Sequence, residues 1–239
     1  MSRLARRTAD VLRLVRDGHI SRVTHSLRSR LGSESLSLGL VRDVSAPFPA
    51  PPAKMPLDVR PLRPGEALNF LSANANARAS DAAFALFQRR LLDSGIGTCW
   101  VAITPDGDPC YMQFLITQRD NSAIRDFWGN FFPALGTGEA LLEGAFTPEA
   151  YRGQGIMAHA MARIAESATA SGAQRVITFV AADNVASLKG CKKAGFAPYL
   201  RRTESWRWGY RRIAFDLLPE GTPYSFDETI SNAETPPRR

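Results

Sequence analysis

The segment 146–161, FTPEAYRGQGIMAHAM, constrains the fold of this chain more than any other. It places Gly153 and Gly155 between an apolar run and a stretch of small residues typical of a packed helix. A strand, a glycine turn and a helix in this order bring unpaired backbone N–H groups and the positive end of a helix dipole to one point. Glycine also lets a ligand approach the main chain closely, because no Cβ intervenes. The segment therefore predicts either a tight turn or a cradle for a phosphate or pyrophosphate group.

Two familiar phosphate-binding motifs are absent from this segment. No Gly-Lys-Ser/Thr follows the glycines, and they lack the GxGxxG spacing. Neither a nucleotide-hydrolysing P-loop nor a dinucleotide-binding fold is therefore indicated.

Length and composition favour one globular domain with appendages. No apolar run reaches the roughly eighteen residues of a membrane span, so we expect a soluble, cytoplasmic protein. Cys99, Cys110 and Cys191 are too scattered for a disulfide framework or a zinc site, and the three histidines are equally dispersed. We expect no metal.

The distribution of charged residues and prolines divides the chain into segments. Residues 1–50 hold nine arginines against four acids, and residues 1–45 predict a basic helical arm that packs on the domain or contacts a membrane surface. An organelle transit peptide is the alternative reading of this arm. Residues 46–56 contain five prolines and predict an extended linker. We expect the compact domain over 57–218 and a mobile tail over 219–239.

Periodicity and turn residues predict the elements of that domain. Helices are expected over 65–77 and 81–94, a β-hairpin over 97–118, and an irregular aromatic stretch over 119–138. A strand over 139–147 leads into the glycine segment. Beyond it we expect a helix over 156–171, a strand over 174–181, a helix after Asn184 and a final hairpin over 199–217.

Two motifs in order resemble the Gcn5-related N-acetyltransferase (GNAT) superfamily. Arg152-x-x-Gly155 is similar to its acyl-CoA signature, with Met157 standing where the family usually has Gly or Ala. The segment 184–196, NVASLKGCKKAGF, resembles the next family element, an Asn that leads a helix ending in Gly-Phe. The resemblance implies an α/β (α+β) fold, a mixed twisted sheet flanked by helices whose fourth and fifth strands splay apart.

Acetyl-CoA, or another acyl-CoA, is the co-substrate that this resemblance implies. Its pyrophosphate would meet the main-chain amides of 153–157, and its pantetheine arm would lie between the splayed strands near 145–147. Asn184 would contact the pantetheine or only cap its helix. The implied cofactor-binding residues are Ala145, Phe146, Thr147, Arg152, Gly153, Gln154, Gly155, Ile156, Met157 and Asn184.

Direct transfer to an amine needs the amine neutral, so a carboxylate with a raised pKa is expected nearby. Glu139 and Glu143 are the candidates, because both lie on the strand that enters the glycine segment and share a face if that strand is regular. Many relatives place a proton-donating tyrosine in the second motif. Cys191 stands there in this chain, either as the general acid or as a small residue on a packed helix face.

The acceptor side is less defined. Phe127, Trp128, Phe131 and Phe132, with Trp206 and Trp208, form an acceptor wall in one interpretation and core packing in the other. The basic residues Lys192, Lys193, Arg201 and Arg202 meet CoA phosphates or an acidic acceptor, or form a solvated face.

We predict an N-acetyltransferase that acts on the primary amine of a small molecule. One alternative is a longer-chain N-acyltransferase that uses acyl-CoA or an acyl-carrier protein. The other is a non-catalytic acyl-CoA-binding or nucleic-acid-binding module, and nucleic acid is the least favoured partner.

Overall fold

The computed structural model describes residues 32–71, 79–224 and 226. They form one eight-stranded sheet in the order β2-β3-β4-β5-β6-β1-β7-β8, and only β5 and β6 are parallel neighbours. The strands are β1 (Gly32–Asp43), β2 (Asp58–Pro61), β3 (Thr98–Ile103), β4 (Pro109–Thr117), β5 (Glu139–Phe146), β6 (Arg175–Ala181), β7 (Ala197–Arg207) and β8 (Tyr210–Leu217). The α-helices are α1 (Ala79–Ser94), α2 (Asn121–Trp128), α3 (Ile156–Ser167) and α4 (Val185–Lys193). The predicted mixed sheet flanked by helices is confirmed.

Two hydrophobic layers enclose the sheet, one on each face. Along β5, Ala140 and Leu142 point into a cluster with α3 and α4, whereas Leu141 points into a cluster with α1 and α2. This alternation is the two-residue period of a strand that is buried on both faces. It explains why the β5 sequence is almost continuously apolar.

Strand β1 corrects the predicted domain boundary. Residues 32–43, assigned from sequence to a helical arm, lie in the interior of the sheet and pair with β6 on one side and β7 on the other. Gly39 is needed there, because a Cβ at this position would lie 2.9 Å from Cβ of Leu200. The compact fold therefore includes residues well before 57. The rest of the predicted basic arm, residues 1–31, lies outside the described residues.

The proline-rich segment is extended, as predicted, but it packs along the folded domain. We call residues 44–57 the strap, since they join β1 near the middle of the sheet to β2 at its edge. The Pro51 carbonyl lies 2.9 Å from Nδ1 of His159, which must carry the proton because a carbonyl only accepts. Lys54 N–H donates to the Gln154 carbonyl at 2.9 Å. The strap thus contacts the glycine segment.

The start of the predicted mobile tail is packed as well. Tyr224 is 3% exposed, lies in the α3/α4 cluster and donates its hydroxyl to the Phe196 carbonyl at 2.8 Å. Residues 227–239 lie outside the described part of the chain. A buried aromatic ring with a satisfied hydroxyl gives this part of the tail a fixed position.

Most of the other predicted elements are confirmed, and two predictions are wrong. The hairpin over 97–118, the strand β5, helices α3 and α4 and the last hairpin are confirmed, and α1 begins two residues before the predicted Asp81 cap. The stretch over 119–138 was predicted as irregular but contains α2, and the helix expected over 65–77 is a single 3-10 turn (Asn69–Leu71) before the undescribed residues begin. No helix in the described ranges has the length and hydropathy to cross a membrane.

Candidate active site

The parallel strands β5 and β6 separate partway along their length. Their pairing runs from Glu139 opposite Arg175 to Leu142 opposite Thr178 and then stops, although both strands continue. The predicted splay is therefore present, between the fifth and sixth strands because β1 precedes them. It opens a gap in the sheet beside the end of β5.

A bulge at Gly144 turns the end of β5. Phe114 of β4 pairs with Glu143 and Met112 pairs with Phe146, so β5 has one extra residue between them. Gly144 has φ +69°, a backbone conformation that glycine adopts without strain. Glu143 comes just before the bulge, and 145–147 follow it along the gap.

Helix α1 holds the bulge in place. The fully buried Gln88 donates from Nε2 to the Gly144 carbonyl at 2.9 Å. A Cβ on Gly144 would lie 2.8 Å from Oε1 of the same side chain. That Oε1 atom is buried without a hydrogen-bond partner. The position that lets Gln88 bind Gly144 therefore lowers the stability of the fold by the cost of burying an unpaired oxygen.

The glycine segment forms the turn that the sequence predicts. Gly153 and Gly155 have φ of +75° and +78°, and α3 begins immediately afterwards at Ile156. A Cβ on Gly153 would meet no atom within 4 Å, whereas one on Gly155 would lie 3.2 Å from the Pro52 carbonyl oxygen. The turn is therefore open at Gly153 and covered by the strap at Gly155.

A single cavity of about 670 Å³ joins this turn to the end of β5. Its wall includes every predicted cofactor residue except Gln154, which is engaged elsewhere through Lys54 and the Ala150 carbonyl. The predicted residues that line it are Ala145, Phe146, Thr147, Arg152, Gly153, Gly155, Ile156, Met157 and Asn184. The Arg152 side chain donates from Nε to the Thr147 carbonyl at 3.0 Å, which ties the loop to the end of β5.

Asn184 and Met157 have identifiable local roles. Asn184 caps α4 by accepting a hydrogen bond from Ser187 N–H at 3.1 Å, and it also lines the cavity. Met157, the departure from the family pattern, packs on α4 where a Cβ on Gly190 would lie 3.1 Å from the Met157 sulfur. The small residue on α4 thus accommodates the large one on α3.

Several residues that line the cavity were not predicted from the sequence. Tyr111 is fully buried on β4 and donates its hydroxyl to Oε1 of Gln113 at 2.8 Å, and burial raises its pKa well above the ordinary range. A buried strand gives no sequence signal that one of its aromatic residues borders a cavity. The other missed residues are Phe84, Tyr151, Ala158, Ala186, Ser187, Lys189 and Gly190.

Of the two candidate bases, Glu143 is the one that lies beside the gap. Its side chain keeps some solvent contact, but dense surroundings desolvate the carboxyl and raise its pKa to about 7. The Arg202 charge and a hydrogen bond from the Gly144 backbone oppose this rise. Arg202 is 6% exposed, and burial lowers its pKa to about 10. A carboxyl that titrates near neutrality therefore lies beside the gap.

Glu139 has a different setting at the opposite end of β5. Its carboxylate pairs with Arg175 at 3.2 Å and accepts a hydrogen bond from Gly136 N–H at 3.0 Å. Glu143 is four positions further along the strand, or roughly 13 Å away. Glu139 closes the turn before β5 and, like Glu143, is not part of the cavity wall.

The structure does not bring Cys191 to the cavity. Its side chain is fully buried between α4 and α3, with Sγ 3.8 Å from the Met161 sulfur, and burial raises its pKa to about 12. The alternative interpretation, a small residue on a packed helix face, describes its position.

Of the predicted aromatic wall, Phe132 belongs to the buried core, and Phe127, Trp128 and Phe131 are half-buried and pack against it. Phe132 is 5% exposed and contacts the rings of Trp128, Phe131 and Phe179, while Arg202 stacks 3.6 Å from the centre of the Phe131 ring. Phe127 contacts Trp128 and Phe87 in the same cluster. Two predicted members lie elsewhere: Trp206 donates to Glu204, and Trp208 is 81% exposed at the tip of the last hairpin.

The four predicted basic residues also separate. Lys193 lines the cavity, Arg202 is buried near Glu143, and Arg201 pairs with Asp216 at 3.3 Å. The Lys192 ammonium lies over the rings of Tyr224 and Phe226. They therefore do not form one phosphate-binding face.

Comparison with known proteins identifies the family. Residues 96–196 match the family model described as Acetyltransferase (GNAT) family. That range contains β3 to α4 and ends at Phe196, so it includes the splayed strands, the glycine turn and the helix led by Asn184. No curated protein sequence matches the chain significantly.

The solved structures that are similar to this chain have low sequence identity to it. A GNAT acetyltransferase from Colwellia psychrerythraea is 16% identical with a TM-score of 0.46, covering 84% of this chain and 62% of that one. A GCN5-related N-acetyltransferase from Sphaerobacter thermophilus is 12% identical with a TM-score of 0.47, covering 84% and 58%.

A third similar structure is the GCN5-related glucosamine N-acetyltransferase region of a fungal multi-domain GH3 β-N-acetylglucosaminidase. It is 12% identical with a TM-score of 0.51, covering 82% of this chain and 22% of that one. This chain thus spans less than two thirds of the length of each of these relatives. The family match over 96–196, together with the splayed sheet and glycine turn, shows that these residues form a GNAT acetyltransferase domain.

Proposed function

We propose that this protein transfers an acetyl group from acetyl-CoA to a primary amine of a small-molecule acceptor by direct attack. One observation carries the proposal. A single cavity connects the glycine turn to the bulged end of β5, and Glu143, whose pKa is raised to about 7, directly precedes the bulge without being part of the cavity wall. A direct transfer needs a phosphate cradle and a base that titrates near neutrality, and the bulge joins the two.

The residues of the cavity fit a CoA thioester. Gly153 leaves open space where any other residue would place a Cβ, and the start of α3 supplies N–H groups and the positive end of a helix dipole. Main-chain groups of 145–147 border the same cavity and are free of regular pairing with β6 beyond Leu142. Bound here, acetyl-CoA would supply an acetyl group activated as a thioester.

Glu143 is the residue that we propose as the general base. A lysine-like ammonium has a pKa of about 10.4 and an ordinary glutamate about 4.3, a gap of roughly six units. Raising the pKa of Glu143 to about 7 narrows that gap to between three and four units, or about 5 kcal/mol. The carboxylate takes the proton from the attacking nitrogen as its N–C bond forms and the C–S bond breaks.

The departing thiolate needs no dedicated acid in this proposal. An unperturbed thiol has a pKa near 8.5, so its thiolate is a tolerable leaving group near neutral pH. The buried position of Cys191 removes the candidate acid that the sequence suggested. Protonation of the thiolate by water completes the balance.

Longer acyl donors are the second candidate, and a specific feature favours them. The rings of Phe84 and Phe146 lie stacked with centres 5.4 Å apart, and both line the cavity. Such a surface would contact methylene groups better than it would contact water. A donor preference that rises with chain length would replace the acetyl assignment while leaving the base and the phosphate cradle unchanged.

Native mass spectrometry with acetyl-CoA and acyl-CoA of increasing length, followed by turnover with a panel of small amines, tests the proposal. We expect the wild type to retain acetyl-CoA and acetylate at least one amine. Gly153→Glu should lose the ligand, because a carboxylate enters the open cradle. Glu143→Gln should retain the ligand and turn over slowly. Failure of the wild type to bind any acyl-CoA would overturn the proposal.

A further inference from the structure

The hairpin formed by β7 and β8 carries two exposed aromatic side chains at its tip. Trp208 is 81% exposed and Tyr210 is 82% exposed. In the part of the chain that the structure describes, neither ring stacks on another ring or on a cation, and neither side chain forms a hydrogen bond. Two neighbouring aromatic surfaces that face solvent in this way mark a contact site for a partner or a membrane.

The turn at this tip is unfavourable for tryptophan. Trp208 and Gly209 lie between the paired residues Arg207 and Tyr210, and their φ angles are +49° and +81°. Asn-Gly is the usual sequence of a two-residue turn with two positive φ angles, because Asn tolerates this conformation and a bulky side chain does not. Trp208 therefore weakens the turn, and no ring contact or hydrogen bond of its side chain to a described residue compensates for this.

Basic side chains flank the aromatic tip. Arg207 pairs with Tyr210, and Arg212 pairs with Ser205 across the ladder, so both arginines project from the same face of the hairpin as Tyr210. Both are exposed, and neither forms an ion pair with a described residue. Glu34 of β1, opposite Ser205, is an acidic neighbour on that face. The face thus presents two unpaired cations and one carboxylate beside an aromatic ring.

The arginine-rich start of the chain joins the fold at the same tip. Gly32, the first residue of β1, pairs with Arg207. Residues 1–31, which precede it, hold eight arginines against two acids. Their positive charge is therefore tethered beside Trp208, and it strengthens the attraction of this end of the sheet for a polyanionic surface.

An anionic bilayer suits this arrangement better than nucleic acid does. Tryptophan and tyrosine favour the boundary between lipid headgroups and acyl chains, because each combines an apolar ring with a polar atom. Arginines beside them strengthen the attraction to anionic headgroups. Single-stranded nucleic acid is bound instead in a groove where successive bases stack, whereas the two rings here stand at the end of a hairpin.

We propose that the tip of the β7–β8 hairpin docks on anionic membrane surfaces. Trp208 and Tyr210 enter the lipid interface, to a depth of roughly 5–10 Å. Arg207 and Arg212 contact the headgroups, and the charge of residues 1–31 adds to the attraction. None of these four hairpin residues lines the cavity, so the docking does not depend on the proposed transfer reaction.

Sedimentation of the 239-residue chain with lipid vesicles tests the proposal. Vesicles that contain phosphatidylglycerol and phosphatidylcholine are compared with vesicles of phosphatidylcholine alone. At low ionic strength we expect binding to the anionic vesicles to be roughly tenfold tighter or more, and to weaken as salt is added. Brominated phosphatidylcholine in the anionic vesicles should quench the fluorescence of Trp208, because bromine quenches only the rings that enter the lipid.

Trp208→Asn is the decisive variant, because it removes the ring and gives the turn its favoured Asn-Gly sequence. We expect its Tm to equal or exceed that of the wild type, while its affinity for anionic vesicles falls about tenfold and most of the quenching disappears. Arg207→Gln/Arg212→Gln should reduce the preference for anionic vesicles several-fold.

Leu217→Asn is the matched control. Leu217 is 81% exposed, as Trp208 is, but it lies at the opposite end of β8 from the tip. Its replacement should leave the affinity for vesicles unchanged.

The possible results distinguish the docking from its alternatives. A Trp208→Asn protein that binds anionic vesicles as tightly as the wild type would overturn the proposal, as would a wild type that binds neither vesicle or binds both equally. If the wild type ignores vesicles but binds a single-stranded oligonucleotide in a manner that requires Trp208, the tip is a nucleic-acid contact instead. Each of these results would leave the proposed transfer reaction standing.

Discussion

Gln88 and Gly144 are joined by a hydrogen bond of 2.9 Å between the side-chain amide and the backbone carbonyl. This contact links helix α1 to the bulge that turns the end of β5, directly after Glu143. The bulge reverses which face of the sheet each following residue occupies. Gln88 therefore acts on the site through the direction of the main chain over 145–147, as a positioning residue.

Replacing Gln88 with methionine tests this positioning role. The Gly144 carbonyl would lose its partner in a buried environment, while the unpaired Oε1 of Gln88 would also be removed. Because these effects oppose each other, we expect a loss of about 1 kcal/mol in the free energy of unfolding. We expect turnover to fall about tenfold or more with little change in acetyl-CoA affinity, because misplacing a reactive group affects the reaction more than binding.

Urea denaturation, calorimetry and steady-state kinetics on the same preparations measure these effects. Arg89→Met, an exposed neighbour on α1, is the control and should change neither quantity. A Gln88→Met protein whose turnover matches that of the wild type would show that the bulge holds its shape without this bond.

The pH dependence of turnover should report Glu143. The base must be ionised to accept a proton, and its pKa is about 7, so turnover should fall as the pH is lowered through neutrality. Glu143→Gln should reduce turnover by about a hundredfold or more and abolish the fall in turnover near pH 7. The Glu139 carboxylate is already bound to Arg175 and Gly136, so Glu139→Gln should keep the fall in turnover near pH 7. If turnover of Glu143→Gln still falls near pH 7, the titrating group is a residue other than Glu143.

Local patterns predicted the glycine turn, because it depends on residues close in sequence, whereas the splayed strands and the cofactor-binding residues were implied by the resemblance to the GNAT superfamily. Which face of a helix borders the cavity was harder to predict from the sequence. Counting from Asn184 places Cys191 correctly along α4, but Lys189 and Gly190 face the cavity whereas Leu188 and Cys191 face the core. Which face meets the cavity depends on how α4 packs on α3, and a motif does not encode that packing.

Strand β1 was missed for a related reason. Its sequence, GSESLSLGLVRD, alternates small polar and apolar residues, but it follows an arginine-rich stretch and precedes five prolines. Its position is determined by pairing with β6 and β7, more than a hundred residues away in sequence. Such long-range pairing leaves little trace in local composition.

Truncation tests whether β1 belongs to the folding unit. A chain that begins at residue 57 would leave the edges of β6 and β7 unpaired and would remove the Arg42 hydrogen bonds to the Ala162 and Ala194 carbonyls. We expect it to aggregate or to lack a cooperative thermal transition. A chain that begins at Gly32 keeps every described contact of β1 and should unfold cooperatively. Soluble, cooperative behaviour of the shorter chain would show that the rest of the sheet closes without β1.

Cys191 offers a direct comparison between a chemical and a packing role. Because its thiol is fully buried against Met161 and does not line the cavity, Cys191→Ala should leave turnover within about twofold of wild type while lowering the free energy of unfolding by about 1 kcal/mol. Kinetics and chemical denaturation measure the two effects. A drop in turnover larger than tenfold with normal stability would restore the thiol to the reaction.

The two glycines of the turn should respond differently to alanine. Both have positive φ, so each substitution should cost roughly 1–2 kcal/mol of unfolding free energy from backbone strain. Only Gly155 faces the strap, where the new methyl would lie 3.2 Å from the Pro52 carbonyl oxygen and 3.5 Å from Cα of Ala53. Gly155→Ala should therefore be the less stable variant, by roughly a further 1 kcal/mol, and should also loosen the Lys54–Gln154 contact. Thermal unfolding of both variants, with amide hydrogen exchange at Lys54, measures this difference. Equal destabilisation with unchanged exchange at Lys54 would mean that the strap yields freely, and its contact with the turn would then contribute little to the shape of the site.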